Sequence, residues 1–81
     1  MILILYSRPG CHLCDDMKAV VRRVIAADPG AEFREVDISG DAELERLYGI
    51  EIPVLLIDGR KAAKVRVSEG ELRRLLSGRS A

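Results

Sequence analysis

Tyr6-Ser7-Arg8-Pro9-Gly10-Cys11-His12-Leu13-Cys14 is the stretch on which the reading of this chain turns. The apolar run Ile2 to Leu5 leads into it, Pro9-Gly10 breaks the strand, and the two cysteines open an amphipathic segment. Strand, turn and helix in that order present the Cys11 sulfur at a helix N-terminus. Unpaired backbone N–H groups and the helix dipole favour negative charge there. The thiolate is the reactive form of cysteine, and such a position lowers the thiol pKa from its free value of ~8.5. Cys14 follows almost one turn later, close enough for the two sulfurs to close a small ring. In an intracellular chain with a β-α pattern, this spacing reads first as a redox site.

Working outward, Ile2-Leu3-Ile4-Leu5-Tyr6 is apolar without alternation, as expected of a central strand covered on both faces. Leu13, Met17, Val20, Val21 and Val24 recur at helical steps and give one apolar stripe, with Lys18, Arg22 and Arg23 between them on the wet side. Asp28-Pro29-Gly30 ends that helix. Ala31 to Ile38 carries a strand-like tail, Val36-Asp37-Ile38, and its charges make it an edge or partly exposed strand. Ser39-Gly40-Asp41 starts a short helix with Leu44, Leu47 and Tyr48 on its apolar face, and Gly49 suits a left-handed residue after its end.

Ile52-Pro53-Val54-Leu55-Leu56-Ile57 reads as a second buried strand that begins with proline, and Asp58-Gly59 as a hairpin turn. Ala63, Val65 and Val67 then alternate with Lys64 and Arg66, one face dry and one wet. Ser68 and Glu71 have capping-box spacing. Leu72, Leu75 and Leu76 form the last stripe, Gly78 stops it, and Ser77 to Ala81 fray. The order is β-α-β-α-β-β-α. A four-stranded mixed sheet with helices on both faces is the compact α/β solution.

The 81 residues, 48% of them apolar, suffice for one domain, residues 1–81, with a single small core. Thirteen basic residues balance thirteen acidic ones, so no net field draws the chain to nucleic acid or anionic lipid. Met1 to Leu5 has no basic flank and is far shorter than a signal or membrane segment, which points to the cytoplasm. Two cysteines are too few for the disulfide framework of a secreted mini-protein.

This order, with C-x-x-C after the first strand and Ile52-Pro53 before the third, resembles the thioredoxin superfamily over essentially the whole chain. Tyr6 to Cys11 looks like a glutaredoxin's lead-in, and Tyr48-Gly49-Ile50-Glu51-Ile52-Pro53 is similar to both branches. Val67-Ser68-Glu69-Gly70-Glu71-Leu72 looks more like a thioredoxin's last helix. The resemblance implies a thioredoxin-like fold and a dithiol-disulfide oxidoreductase. Cys11 would be the exposed nucleophile and Cys14 the deeper thiol that resolves the mixed disulfide. Pro53 would carry over as a cis-proline facing the sulfurs, turning the Ile52 backbone outward to pair with an extended substrate.

Several positions depart from the family pattern. His12 and Leu13 stand where dithiol glutaredoxins usually have proline and an aromatic residue. Val67-Ser68 and then Glu69-Gly70-Glu71 stand where many carry a Gly-Gly turn and an acidic residue that hold glutathione. The chain also has no tryptophan. The expectation is a monomer needing no cofactor. It would act on protein or small-molecule disulfides and be recharged by a thioredoxin-reductase-like enzyme or by glutathione, with glutathione expected to be the poorer reductant.

Individual residues admit plainer readings beside these. His12 is a candidate for tuning the potential through a nearby imidazolium, or an exposed first-turn residue with little effect. Arg8 could lower the Cys11 pKa or hold a substrate carboxylate, or be a solvated surface arginine. Asp15 and Asp16 fit helix stabilisation near the positive dipole end, and Ser68 with Glu71 fits the capping box. A structural zinc site in one chain would need a carboxylate or a second chain to complete it, because zinc takes four ligands and Cys11, His12 and Cys14 are the only cysteine and histidine donors. A dimer sharing Cys11 around a metal or iron–sulfur cluster stays open, as does an interaction module that no longer cycles its cysteines.

Overall fold

The computed structural model describes residues 1–79. Its elements are β1 (Ile2–Ser7), α1 (His12–Ile25), β2 (Glu32–Asp37), α2 (Ala42–Tyr48), β3 (Val54–Ile57), β4 (Arg60–Lys64) and α3 (Glu69–Arg79). They build one four-stranded sheet in the order β2-β1-β3-β4. β1 runs parallel to β2, as a helical crossover through α1 demands, and antiparallel to β3, which pairs antiparallel with β4. This is the thioredoxin-like α/β fold that the motif order implies.

Alternation along β1 divides the two faces. Leu3 and Leu5, with Leu55 and Ile57 of β3, point into the core against Met17, Val21 and Val24 of α1 and Leu72 of α3. Tyr6 points the other way and stacks on Tyr48 at the end of α2, with ring centroids 4.6 Å apart and planes 17° off parallel. Helices therefore cover both faces unequally: α1 and α3 cover one, the seven-residue α2 the other. Because α2 is short, Ile2 at the far end of β1 is left partly exposed, and Leu47, expected on the apolar face of α2, is exposed too. Leu75 is likewise exposed, while Leu72 and Leu76 of the same stripe pack inward. β2 is the edge strand its charges foretell.

The hairpin forms at Asp58-Gly59 with φ of +48° and +84°, the two positive values of a type I′ turn. Both predicted helix starts are present. Leu44 N–H donates to the Asp41 carboxylate at 3.1 Å, and Ser68 and Glu71 exchange reciprocal bonds of 3.2 and 3.1 Å.

Four boundaries differ from the sequence reading. Gly49 is right-handed, φ −54°, because the chain leaves α2 through a further turn in which Glu51 and Ile52 N–H both donate to Tyr48 O. β3 begins at Val54, after Ile52-Pro53, since proline has no N–H to give the ladder. β4 stops at Lys64, and Val65 turns to φ +69°, which ends the alternation expected through Val67. α3 runs past Gly78 to Arg79, so Ser77 to Arg79 are helical, and residues 80 and 81 lie outside the described residues. Among the described residues, no helix is long and apolar enough to cross a membrane.

Candidate active site

Arg8-Pro9-Gly10-Cys11 forms a tight turn in which Cys11 N–H donates to Arg8 O at 3.3 Å. Proline suits the second position of such a turn, and Gly10 takes the φ of +78° that its third position needs. The turn delivers Cys11 to the N-cap of α1, with extended backbone at φ −93° and ψ 108°. Cysteine here does the work usually given to serine or aspartate: its Sγ accepts a hydrogen bond from Cys14 N–H at 3.1 Å. In a thiolate this bond becomes charge-assisted and correspondingly stronger.

Cys11 and Cys14 are joined as a disulfide, with Cα atoms 5.2 Å apart. The two sulfurs are unequal. Cys14 is 1% exposed, whereas Cys11 is only half-buried at the surface. His12 is exposed in the first turn of α1, between them in sequence.

Pro53 comes to this end of the sheet through strand register. Tyr6 pairs with Val54, so the residue before Val54 falls beside the end of β1, from which the chain enters the Cys11 turn. The Ile52–Pro53 bond is cis, and Pro53 is buried. Its carbonyl accepts Val65 N–H at 2.8 Å, which ties the loop to the strand beyond. Glu51, just upstream, lies between Lys61 and Lys64 of β4, at 2.6 and 3.3 Å. Hydrogen bonds from these lysines, Lys61 first, hold its carboxyl below the ordinary range.

Arg8 leaves the sulfurs and reaches α2. Its Nη2 lies 2.6 Å from Glu45 Oε1, with each side chain more than a third exposed. Nothing in the spacing of the sequence marks Glu45 as its partner. On the other flank of the turn, buried Ser7 donates to Glu35 Oε2 at 3.1 Å, and Lys18 lies 3.3 Å from Glu35 Oε1. These contacts fasten the end of β1 to β2 and α1. Among the described residues, no group of three or more His, Cys, Asp or Glu side chains is placed to hold a metal ion.

The family pattern of the glutaredoxin-like domain (DUF836) matches residues 2–77. The chain belongs to that family. Among solved structures, this glutaredoxin-like chain is similar to the X. campestris protein XcR50. The crystal structure shows 35% identity over 94% of this chain and 96% of that one, with a TM-score of 0.73. The solution structure of XcR50 gives 38%, 96%, 95% and 0.76 for the same quantities. Protein Ne2328 from Nitrosomonas europaea is 28% identical, covering 90% of this chain and 87% of its own, with a TM-score of 0.73. A thioredoxin mutant from Halobacterium salinarum shares the fold at 24% identity and a TM-score of 0.64, over 95% of this chain and 72% of that one. No curated protein matches the chain.

Proposed function

We propose that this glutaredoxin-like protein is a thiol-disulfide oxidoreductase working through Cys11 and Cys14. The observation that carries the reading is the inequality of the two sulfurs: one accessible at a helix N-cap, the other buried and within bonding range. In the reduced protein the Cys11 thiolate attacks one sulfur of a substrate disulfide. The Cys11–substrate bond forms, the substrate's S–S bond breaks, and its second sulfur leaves as a thiolate that takes a proton. Cys14, deprotonated, then attacks Cys11 and expels the first substrate sulfur. The substrate has gained two electrons, and the protein is left as the Cys11–Cys14 disulfide. A dithiol reductant, such as a thioredoxin-reductase-like partner, restores it.

Ile52 and Pro53 serve as the backbone edge against which an extended substrate lies. Arg8 holds a substrate carboxylate only by releasing Glu45, and His12 tunes the potential from the first turn. No cofactor takes part, and glutathione is a poor reductant. The protein works as a monomer in the cytoplasm, where the reducing poise keeps it charged.

The test is substitution of each cysteine. Cys11→Ser abolishes reduction of protein disulfides in an assay regenerated by a dithiol. Cys14→Ser accumulates mixed disulfides that a reductant releases and mass spectrometry identifies. Unimpaired turnover by Cys11→Ser, or slow alkylation of both reduced thiols at neutral pH, overturns the reading.

A further inference from the structure

The balance of thirteen basic and thirteen acidic residues conceals a division along the chain. Residues 1–59 hold six Lys and Arg against eleven Asp and Glu, whereas residues 60–81 hold seven against two. The fold gathers much of the second group on one border of the molecule, where β4 is the outer strand of the sheet and α3 lies beside it. Two shallow concavities of about 340 and 300 Å³ separate β4 from α3. They share Ala62, Glu71 and Leu75, so they form one continuous trough. Its floor is apolar, and Leu75 is the large side chain exposed on it. Exposed Lys61, Lys64, Arg66 and Arg74 stand along its rim.

Neighbouring carboxylates leave most of this charge unanswered. Glu51 serves both Lys61 and Lys64, while Arg66 and Arg74 form no ion pair among the described residues. Glu71, which also lines the trough, already accepts from Ser68 N–H.

Ordinary structural needs account for only part of the basic rim. Lysines on an outer strand discourage pairing with another sheet, and so does the irregular register that leaves Ala62 without a partner on β3. Arg66, however, lies beyond the end of β4. Arg74 sits in the middle of α3, away from the last turn where the helix dipole favours a cation.

The trough discriminates among anionic partners. A phosphate backbone would use the cations and leave the apolar floor uncovered. A strand added to β4 would meet the bulge at Ala62. An acidic protein segment carrying one aliphatic or aromatic side chain uses both features: the side chain covers Leu75 and the carboxylates meet Arg66 and Arg74. We propose that the trough between β4 and α3 is a docking site for such a segment of a partner protein. Arginine binds carboxylates through paired donors, so Arg66 and Arg74 carry the recognition, and Lys61 and Lys64 add to the field. Neither Cys11 nor Cys14 lines the trough, so this inference stands or falls apart from the redox reading.

The test titrates the full-length protein against dye-labelled peptides and reads fluorescence anisotropy. One peptide is a run of glutamates around a central leucine. A second has serine in place of the leucine, a third has glutamine in place of the glutamates, and single-stranded DNA of similar charge is the fourth probe. The glutamate–leucine peptide binds tightest, several-fold tighter than the other two peptides. Raising salt from roughly 0.05 to 0.3 M weakens it several-fold. Arg66→Glu combined with Arg74→Glu removes most of that affinity. Arg34→Glu combined with Arg46→Glu makes the same change in net charge on β2 and α2 and costs far less. Leu75→Ser narrows the preference for leucine over serine. Circular dichroism checks that the variants fold, and the comparison of leucine with serine in the parent protein needs no variant. Absence of binding, equal affinity for the leucine and serine peptides, or equal loss in the two double variants overturns the proposal. Tightest binding of the DNA overturns it as well and assigns this border to a phosphate backbone.

Discussion

Cys11 acts through its place in the chain. Pro9 and Gly10 shape the turn, the turn sets the N-cap, and the N-cap aims Cys14 N–H at the sulfur. Gly49 is a residue of the opposite kind, important for the space it leaves empty. A Cβ added there would stand 2.5 Å from Glu45 O and 3.6 Å from the Arg8 guanidinium. Gly49→Ala therefore forces the end of α2 to shift, with the Arg8–Glu45 pair beside it. The expected cost is about 1–3 kcal/mol, as for other overpacking changes. Gly70→Ala is the control, because a Cβ there meets nothing within 4 Å and α3 gains a better helix former. It should stabilise by about 0.5–1 kcal/mol. Urea midpoints that move in opposite directions bear out both claims. A Gly49→Ala protein as stable as the parent contradicts the steric argument.

Among the elements, α3 depends most on its first turn. It packs Leu72 into the core, and Ser68 and Glu71 satisfy two of its otherwise unpaired N–H groups. Ser68→Ala removes the acceptor for Glu71 N–H and should cost about 1 kcal/mol, read from the urea midpoint. Ser68→Asp, which keeps an acceptor, should restore most of that loss; no difference between the two would remove the cap from the account. This box was legible because capping is a local interaction with fixed spacing, and the Asp58-Gly59 hairpin was legible for the same reason. The end of β4 was not. The alternation of Ala63, Val65 and Val67 reads as a continuing strand, and it is broken by the tertiary bond from Val65 N–H to Pro53 O together with the bond from Arg66 N–H back to Lys64 O. Gly49 misled in a similar way, since glycine after a helix suggests a left-handed cap while the carbonyl of Tyr48 captures the next turn. The Cys11 turn was readable in full, whereas Glu45 as the partner of Arg8 depends on how α2 docks and leaves no mark in the sequence.

Across the whole molecule, some of the ion pairs join elements that are separate in sequence. Glu51 ties the loop before the cis-proline to Lys61 and Lys64 on β4, while Glu69 ties α3 to Arg23 on α1 and also meets Arg73. Hydrogen bonds from these cations lower both carboxyl pKa values from the ordinary 4.5, chiefly Lys61 for Glu51 and Arg23 for Glu69. A carboxyl whose folded pKa lies below its unfolded value favours the folded state fully above the unfolded value. That contribution is lost as pH falls through the folded value. Stability should therefore hold from neutral pH down to about pH 5 and decline below 4.5 as these groups protonate. Other carboxylates titrate in the same interval, so the shape of one curve cannot assign the loss. Glu51→Gln and Glu69→Gln can, because each removes one titration. Each variant should be less stable than the parent near pH 6, and the gap should close as the pH falls towards 2.5. All four of these pairs are open to solvent, so 1 M salt should shrink the gap at pH 6 as well. Urea midpoints measured for parent and variants across that range make the comparison. Curves that stay parallel at every pH would mean that the carboxylates act through packing or helix propensity, and that charge does not link the cis-proline loop and α3 to the rest of the fold.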